Sequence, residues 1–174
     1  QEMELVRSLH RDWNSLEPEA ITKGMTASTQ TALEENLARL TKAVENRQAL
    51  EAQLAANQVY RYYIEVAARF KPKIPPNLER VRYHVTEARL QGEKGSWTRA
   101  LEEANRALEI WYRFSYSLTK IERRTLNQME HSLTDLIDAV GEMSMILTSI
   151  KTEVALQNIE TLEREIKGSN QDTE

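Results

Sequence analysis

Leu126, Met129, Leu133, Leu136, Val140, Met143, Leu147, Ile150 and Val154 follow one another at alternating intervals of three and four residues. No other feature of the chain limits its fold so strongly. A spacing that averages 3.5 residues keeps one apolar seam on one face of an α-helix, and packing against other helices buries such a seam. The register lies inside a stretch, Ser96 to Lys167, that contains no proline and one glycine, Gly141. A mid-helix glycine costs about 1 kcal/mol relative to alanine without forbidding helix. Continuous helix over this stretch would run for roughly 72 residues and about 108 Å. Gly141 and the neighbourhood of Leu118 are the places where a kink or break is expected. Gln157 ends the register, Leu156, Ile159 and Ile166 form a shifted stripe, and Gly168-Ser169-Asn170 supplies the stop.

Upstream, Leu5, Val6, Leu9, Trp13 and Leu16 mark an amphipathic helix over residues 2–17. Pro18 is expected to end it, since proline disfavours helical geometry in the preceding residue. Gly24, Thr26, Ser28 and Thr29 read as a loop, and Thr31 with Glu34 has the spacing of a capping box. Leu33, Leu37, Leu40, Val44, Leu50 and Leu54 then lead into Val59, Ile64 and Phe70 without a glycine or proline. The expectation is one helix of roughly 40 residues, about 60 Å long. Lys71-Pro72-Lys73-Ile74-Pro75-Pro76 forces an extended connection. Asn77 is placed to cap a helix over 78–91, and Ser96 to cap the next.

Ten of the eleven aromatic residues fall between Tyr60 and Tyr116. Large rings need a thick core, whereas a Leu/Val/Met seam does not. The expected architecture is therefore all-α. It is an elongated antiparallel three- or four-helix bundle with a long coiled-coil-like C-terminal helix, forming a single domain over 1–174. Residues 31–59 and 117–167 would form a stalk, and 60–116 an aromatic-rich head containing a helical hairpin at 78–108. Within that hairpin, Gly95, Trp97, Ala100, Leu101, Ala104, Ala107 and Leu108 resemble the second helix of a tetratricopeptide repeat. The first helix departs from that family's pattern at Glu87, Ala88 and Gln91, and no second copy follows at the expected period. A close-packed helical hairpin is the reading these residues support.

The absence of cysteine excludes disulfide frameworks, thiolate metal sites and thiol nucleophiles. His10, His84 and His131 stand in no nucleophile, phosphate-loop or zinc motif. The expectation is a non-enzyme with no cofactor and no metal site. His131, Asp135, Asp138 and Glu142 share a helical face, but at 100° per residue it lies opposite the Leu133/Leu136/Val140 seam and reads as a solvated stripe. Charge is uneven: residues 71–125 carry 12 basic and 7 acidic side chains, residues 126–174 carry 3 and 10. A match of the basic middle to the acidic end, internal or through a partner, is favoured over nucleic acid. Tyr60, Tyr62 and Tyr63 interleave with basic residues, yet 60 and 62 point about 200° apart and cannot form one stacking platform.

Two functions remain. The first is a scaffolding or interaction module that docks partner helices or self-associates through the seam, with Met129, Leu133, Leu136, Val140, Met143, Leu147 and Ile150 as contact residues. The second is an extracytoplasmic ligand-sensing bundle of a bacterial membrane receptor, with Trp97, Trp111, Tyr112 and Arg113 lining a pocket in the head. No stretch is apolar enough to span a membrane. A chain that begins at Gln1 reads as an excised piece, so membrane attachment would come only through flanking segments.

Overall fold

The computed structural model describes residues 1–171, and these are helical with no strand. The helices are α1 (Glu2–Thr22), α2 (Ala27–Glu45), α3 (Ala49–Ala67), α4 (Pro76–Glu93), α5 (Trp97–Phe114), α6 (Arg123–Gly141) and α7 (Met145–Gln171), with 3-10 turns at Ala68–Phe70 and Ser115–Ser117. They fall into two compact units, Gln1–Pro72 and Lys73–Glu174. The aromatic-rich segment is divided between them at this boundary.

In the first unit, Pro18 lies inside α1 instead of ending it. Proline removes its own donor and crowds the preceding turn. Helix nonetheless continues, because the next turn places Ala20 fully in the core, and the Thr22 hydroxyl donates to the Pro18 carbonyl at 3.0 Å. The chain reverses at Gly24, whose φ is 87°. The cap of α2 is Thr26, which accepts from the Thr29 amide at 3.2 Å, five residues ahead of the capping box expected at Thr31. The single helix expected beyond it is two. Arg47 adopts φ 57°, the Gln48 amide closes on the Ala43 carbonyl at 2.9 Å, and α3 folds back on α2. The physical reason lies after Val44: the next seam positions are Arg47 and Glu51, so a straight helix has no stripe to bury there. The hairpin instead builds one cluster from Ala20, Met25, Leu33, Leu37 and Val66 and a smaller one from Val6, Leu40 and Ala55.

In the second unit each of α4, α5 and α6 packs on its successor, and α7 returns to α4, closing a four-helix bundle. Pro76 occupies the first turn of α4, where its missing donor costs nothing. Ala100, Ala104 and Ala107 are fully buried and let α5 approach α4 closely; a Cβ on Gly92 would stand 3.0 Å from the Trp97 ring. Leu78, Val81, Val85, Trp111, Met129, Leu133, Leu136, Ile159 and Leu162 fill the centre. Arg82 of α4 reaches Glu163 of α7 at 2.5 Å, one internal match between the basic middle and the acidic end.

The stretch 96–167 is thus three helices, broken at both places the sequence offered. The 3-10 turn and loop after Phe114 separate α5 from α6. At the second break Met143 adopts φ 54°, and the Ser144 amide points back to the Ala139 carbonyl at 3.4 Å. Each segment assigned to a straight stalk, 31–59 and 117–167, is therefore folded into a hairpin of its own.

Candidate functional site

The turn at 142–144 decides the fate of the heptad seam. Before it, Met129, Leu133, Leu136 and Val140 are at most 1% exposed, buried in the core of the second unit. After it, Met143 is 64%, Leu147 37%, Ile150 49% and Val154 41% exposed. Three non-helical residues rephase α7 about its axis. It turns Thr148, Thr152, Ala155, Ile159, Leu162 and Ile166 inward instead. The expected contact set therefore separates into a structural half and an accessible half. Ile146, 76% exposed and one helical turn before Ile150, belongs with the accessible half. Sequence reasoning left Ile146 out because it sits one position off the register; the shifted stripe at Ile159 and Ile166 was the signal that α7 turns a different face to the core.

The helix that carries this stripe is tied to α6 at two points. Lys151 pairs with Asp135 of α6 at 2.7 Å, and the Asn158 side-chain Nδ2 donates to the Gln128 backbone carbonyl at 3.2 Å. Glu142 and Glu153 flank it in solvent. Beneath its first turns, the hydroxyls of Thr148 and Thr152 are buried without a hydrogen-bond partner. The arrangement is apolar outside and polar inside, the reverse of what burial alone would select. Four aliphatic side chains share one exposed face of α7, with Met143 exposed in the turn before it; contiguous apolar patches of that kind are often functional.

Trp97, Trp111, Tyr112 and Arg113 do not form a pocket. Trp111 is 1% exposed, and its ring meets Phe114 edge-on at 5.5 Å, so it is core. Tyr112 is exposed and donates to Glu130 at 3.1 Å; that hydrogen bond to a carboxylate holds its phenol above the usual tyrosine range. Arg113, also exposed, pairs with Glu109 at 2.5 Å. Trp97 lies against Gly92 at the far end of α5, about 21 Å of helix away.

The acidic face of α6 is in solvent at His131, Asp135, Asp138 and Glu142. No group of three potential metal ligands occurs among the described residues. His10 bonds Thr41 at 2.9 Å and His84 bonds Glu103 at 2.6 Å. In the first unit, Tyr60 stacks on Tyr63 at 6.4 Å while Tyr62 packs against the larger core cluster. An apolar groove of about 550 Å³ lies there between α1 and the α2–α3 turn, walled by Leu5, Leu9, Leu40, Val44 and Ala52. No described helix is long and apolar enough to cross a membrane. No known protein family, curated protein or solved structure matches the chain. The likeness of residues 95–108 to a tetratricopeptide helix therefore rests on those residues alone.

Proposed function

We propose that the protein is a non-enzymatic helical interaction module whose contact surface is the stripe Ile146, Leu147, Ile150 and Val154 on the first half of α7, together with Met143 in the turn before it. The observation that carries this reading is the exposure of all five, four of them on a helix whose opposite face is packed into a closed bundle. A ligand complementary to such a surface is another helix with an aliphatic stripe, docking at positions spaced three and four apart. Methionine at its edge suits an adaptable contact.

A photo-crosslinking residue at Ile146 tests the reading, in purified protein and in extract of the source cells. Adducts should form and should disappear in Ile150→Asp, which removes apolar contact from the middle of the stripe while the far-UV spectrum stays unchanged. Equal adduct yield in Ile150→Asp, or none above that from the control position Gln157, would sink it.

A further inference from the structure

We infer that the α6–α7 hairpin opens at residues 142–144 into one continuous helix, and that a second copy of this chain occupies the surface so created, the two copies exchanging α7. This rests on the reading of the α7 stripe as a contact surface, and it names the occupant.

Four observations converge on the hinge. The seam keeps its spacing straight through the turn, so that Met143, Leu147, Ile150 and Val154 share the face of Met129, Leu133, Leu136 and Val140 as soon as 142–144 become helical. The turn itself requires a left-handed residue and has Met143 there, at φ 54°, where glycine would be unstrained. The first turns of α7 bury two hydroxyls that lack partners and turn four large aliphatics outward. The α2–α3 hairpin acts as an internal control. It has the same type of turn at Arg47, but its seam does not continue, since Arg47 and Glu51 occupy the next positions. Only the α6–α7 sequence encodes both states.

The second copy is the occupant because the contacts of the closed hairpin already supply its fit. Contacts across the hairpin pair Asp135 with Lys151 and Gln128 with Asn158, both symmetric about residue 143. Exchange of α7 re-forms each of these contacts between copies, the charge pair included, around a two-fold axis at that residue. Near the axis the two straight helices cross, so the stripe of each copy has an apolar partner that the closed hairpin lacks.

The chain has no cysteine, so nitroxides at Gln128→Cys and Asn158→Cys report on the full-length protein alone. In the closed hairpin these sites are neighbours. In a straight helix they stand roughly 45 Å apart at 1.5 Å per residue. Double-labelled chain diluted into excess unlabelled chain should show the long distance in the dimeric fraction only, growing with total concentration. Met143→Gly relieves the turn and penalises continuous helix, so it should lower the dimer association constant roughly tenfold or more. Ser144→Ala should raise it, because the Ser144 hydroxyl caps α7 only in the hairpin, accepting from the Leu147 amide at 3.3 Å. A dimer showing short distances only would refute the exchange while leaving the stripe as a contact surface. The long distance in monomer would refute the second copy as occupant. Absence of dimer in Ser144→Ala at millimolar concentration would overturn the inference outright, whereas loss of the Ile146 adducts in Ile150→Asp judges the docking reading separately.

Discussion

Four residues turn the chain between packed helices in the same way. Gly24, Arg47, Gly95 and Met143 all have positive φ, and after each the next amide closes on the carbonyl five positions back. Glycine adopts this conformation freely, while a residue with a Cβ loses about 1 kcal/mol or more there. A Cβ on Gly95 would touch nothing within 4 Å, so Gly95→Ala tests backbone strain free of any steric clash. It should lower stability by about 1 kcal/mol, read as a reduced urea midpoint. Arg47→Gly should raise stability by about 0.5 kcal/mol, the relief of strain being partly offset by the freer unfolded chain. An unchanged midpoint in both would mean the turns are not held in the left-handed region. Tyr112 offers a second test at this scale. Its phenol is raised by the hydrogen bond to Glu130, so the neutral form is favoured in the folded chain. That contribution is complete below the ordinary tyrosine pKa and disappears as pH climbs through the raised value. In a nuclear magnetic resonance titration Tyr112 should ionise later than in Glu130→Gln; coincident curves would contradict the contact.

At the scale of elements, α6 and α7 share a register and differ in what they do with it. Leu136 is fully buried and Ile150 is half exposed. Leu136→Asp should therefore unfold the second unit, while Ile150→Asp should cost less than about 1 kcal/mol. Equal destabilisation, measured by thermal melting, would mean the stripe is core. Thr152 is inward-facing with an unpartnered hydroxyl. Thr152→Val keeps its shape and removes that group, and should raise stability by about 1 kcal/mol; a loss would reveal a partner for the hydroxyl. These contrasts show what the sequence could and could not carry. The helices themselves, the proline connection before α4 and the glycine turns at Gly24 and Gly95 were legible, because periodicity, missing donors and left-handed tolerance each leave a mark on residue type. The reversal at Arg47 was not, since neither Arg nor Gln48 signals a left-handed turn. Pro18 misled because burial of Ala20 in the following turn outweighs the local preference. The division of the seam at Met143 was invisible for a further reason: the register is intact, and only the rephasing of α7 decides which half is buried.

Across the whole molecule the two units differ in how much core each helix contributes. The second unit has one continuous cluster to which all four helices contribute, whereas the first has two smaller ones. Within the first, α1 buries only Val6 and Ala20 outright, carries Pro18 in its interior and leaves Leu5 and Leu9 exposed. Local opening is easiest where few apolar contacts hold a helix. Hydrogen exchange followed by mass spectrometry on the intact chain should therefore release the amides of α1 first and those of α4, α5 and α6 last. Acid should widen the difference. Glu4 accepts from Arg11 at 3.1 Å, and that bond, with the Arg11 charge, holds its carboxyl below the ordinary glutamate value. A depressed carboxylate stabilises the folded chain above its unfolded pKa and stops doing so as pH falls through the folded one. After correction for intrinsic rates, α1 should lose protection on acidification to a greater extent than in Glu4→Gln, where the group cannot titrate. Uniform exchange over all seven helices would show instead that α1 opens only with the rest of the chain, and an acid response unchanged in Glu4→Gln would remove this pair from the account of why α1 opens first.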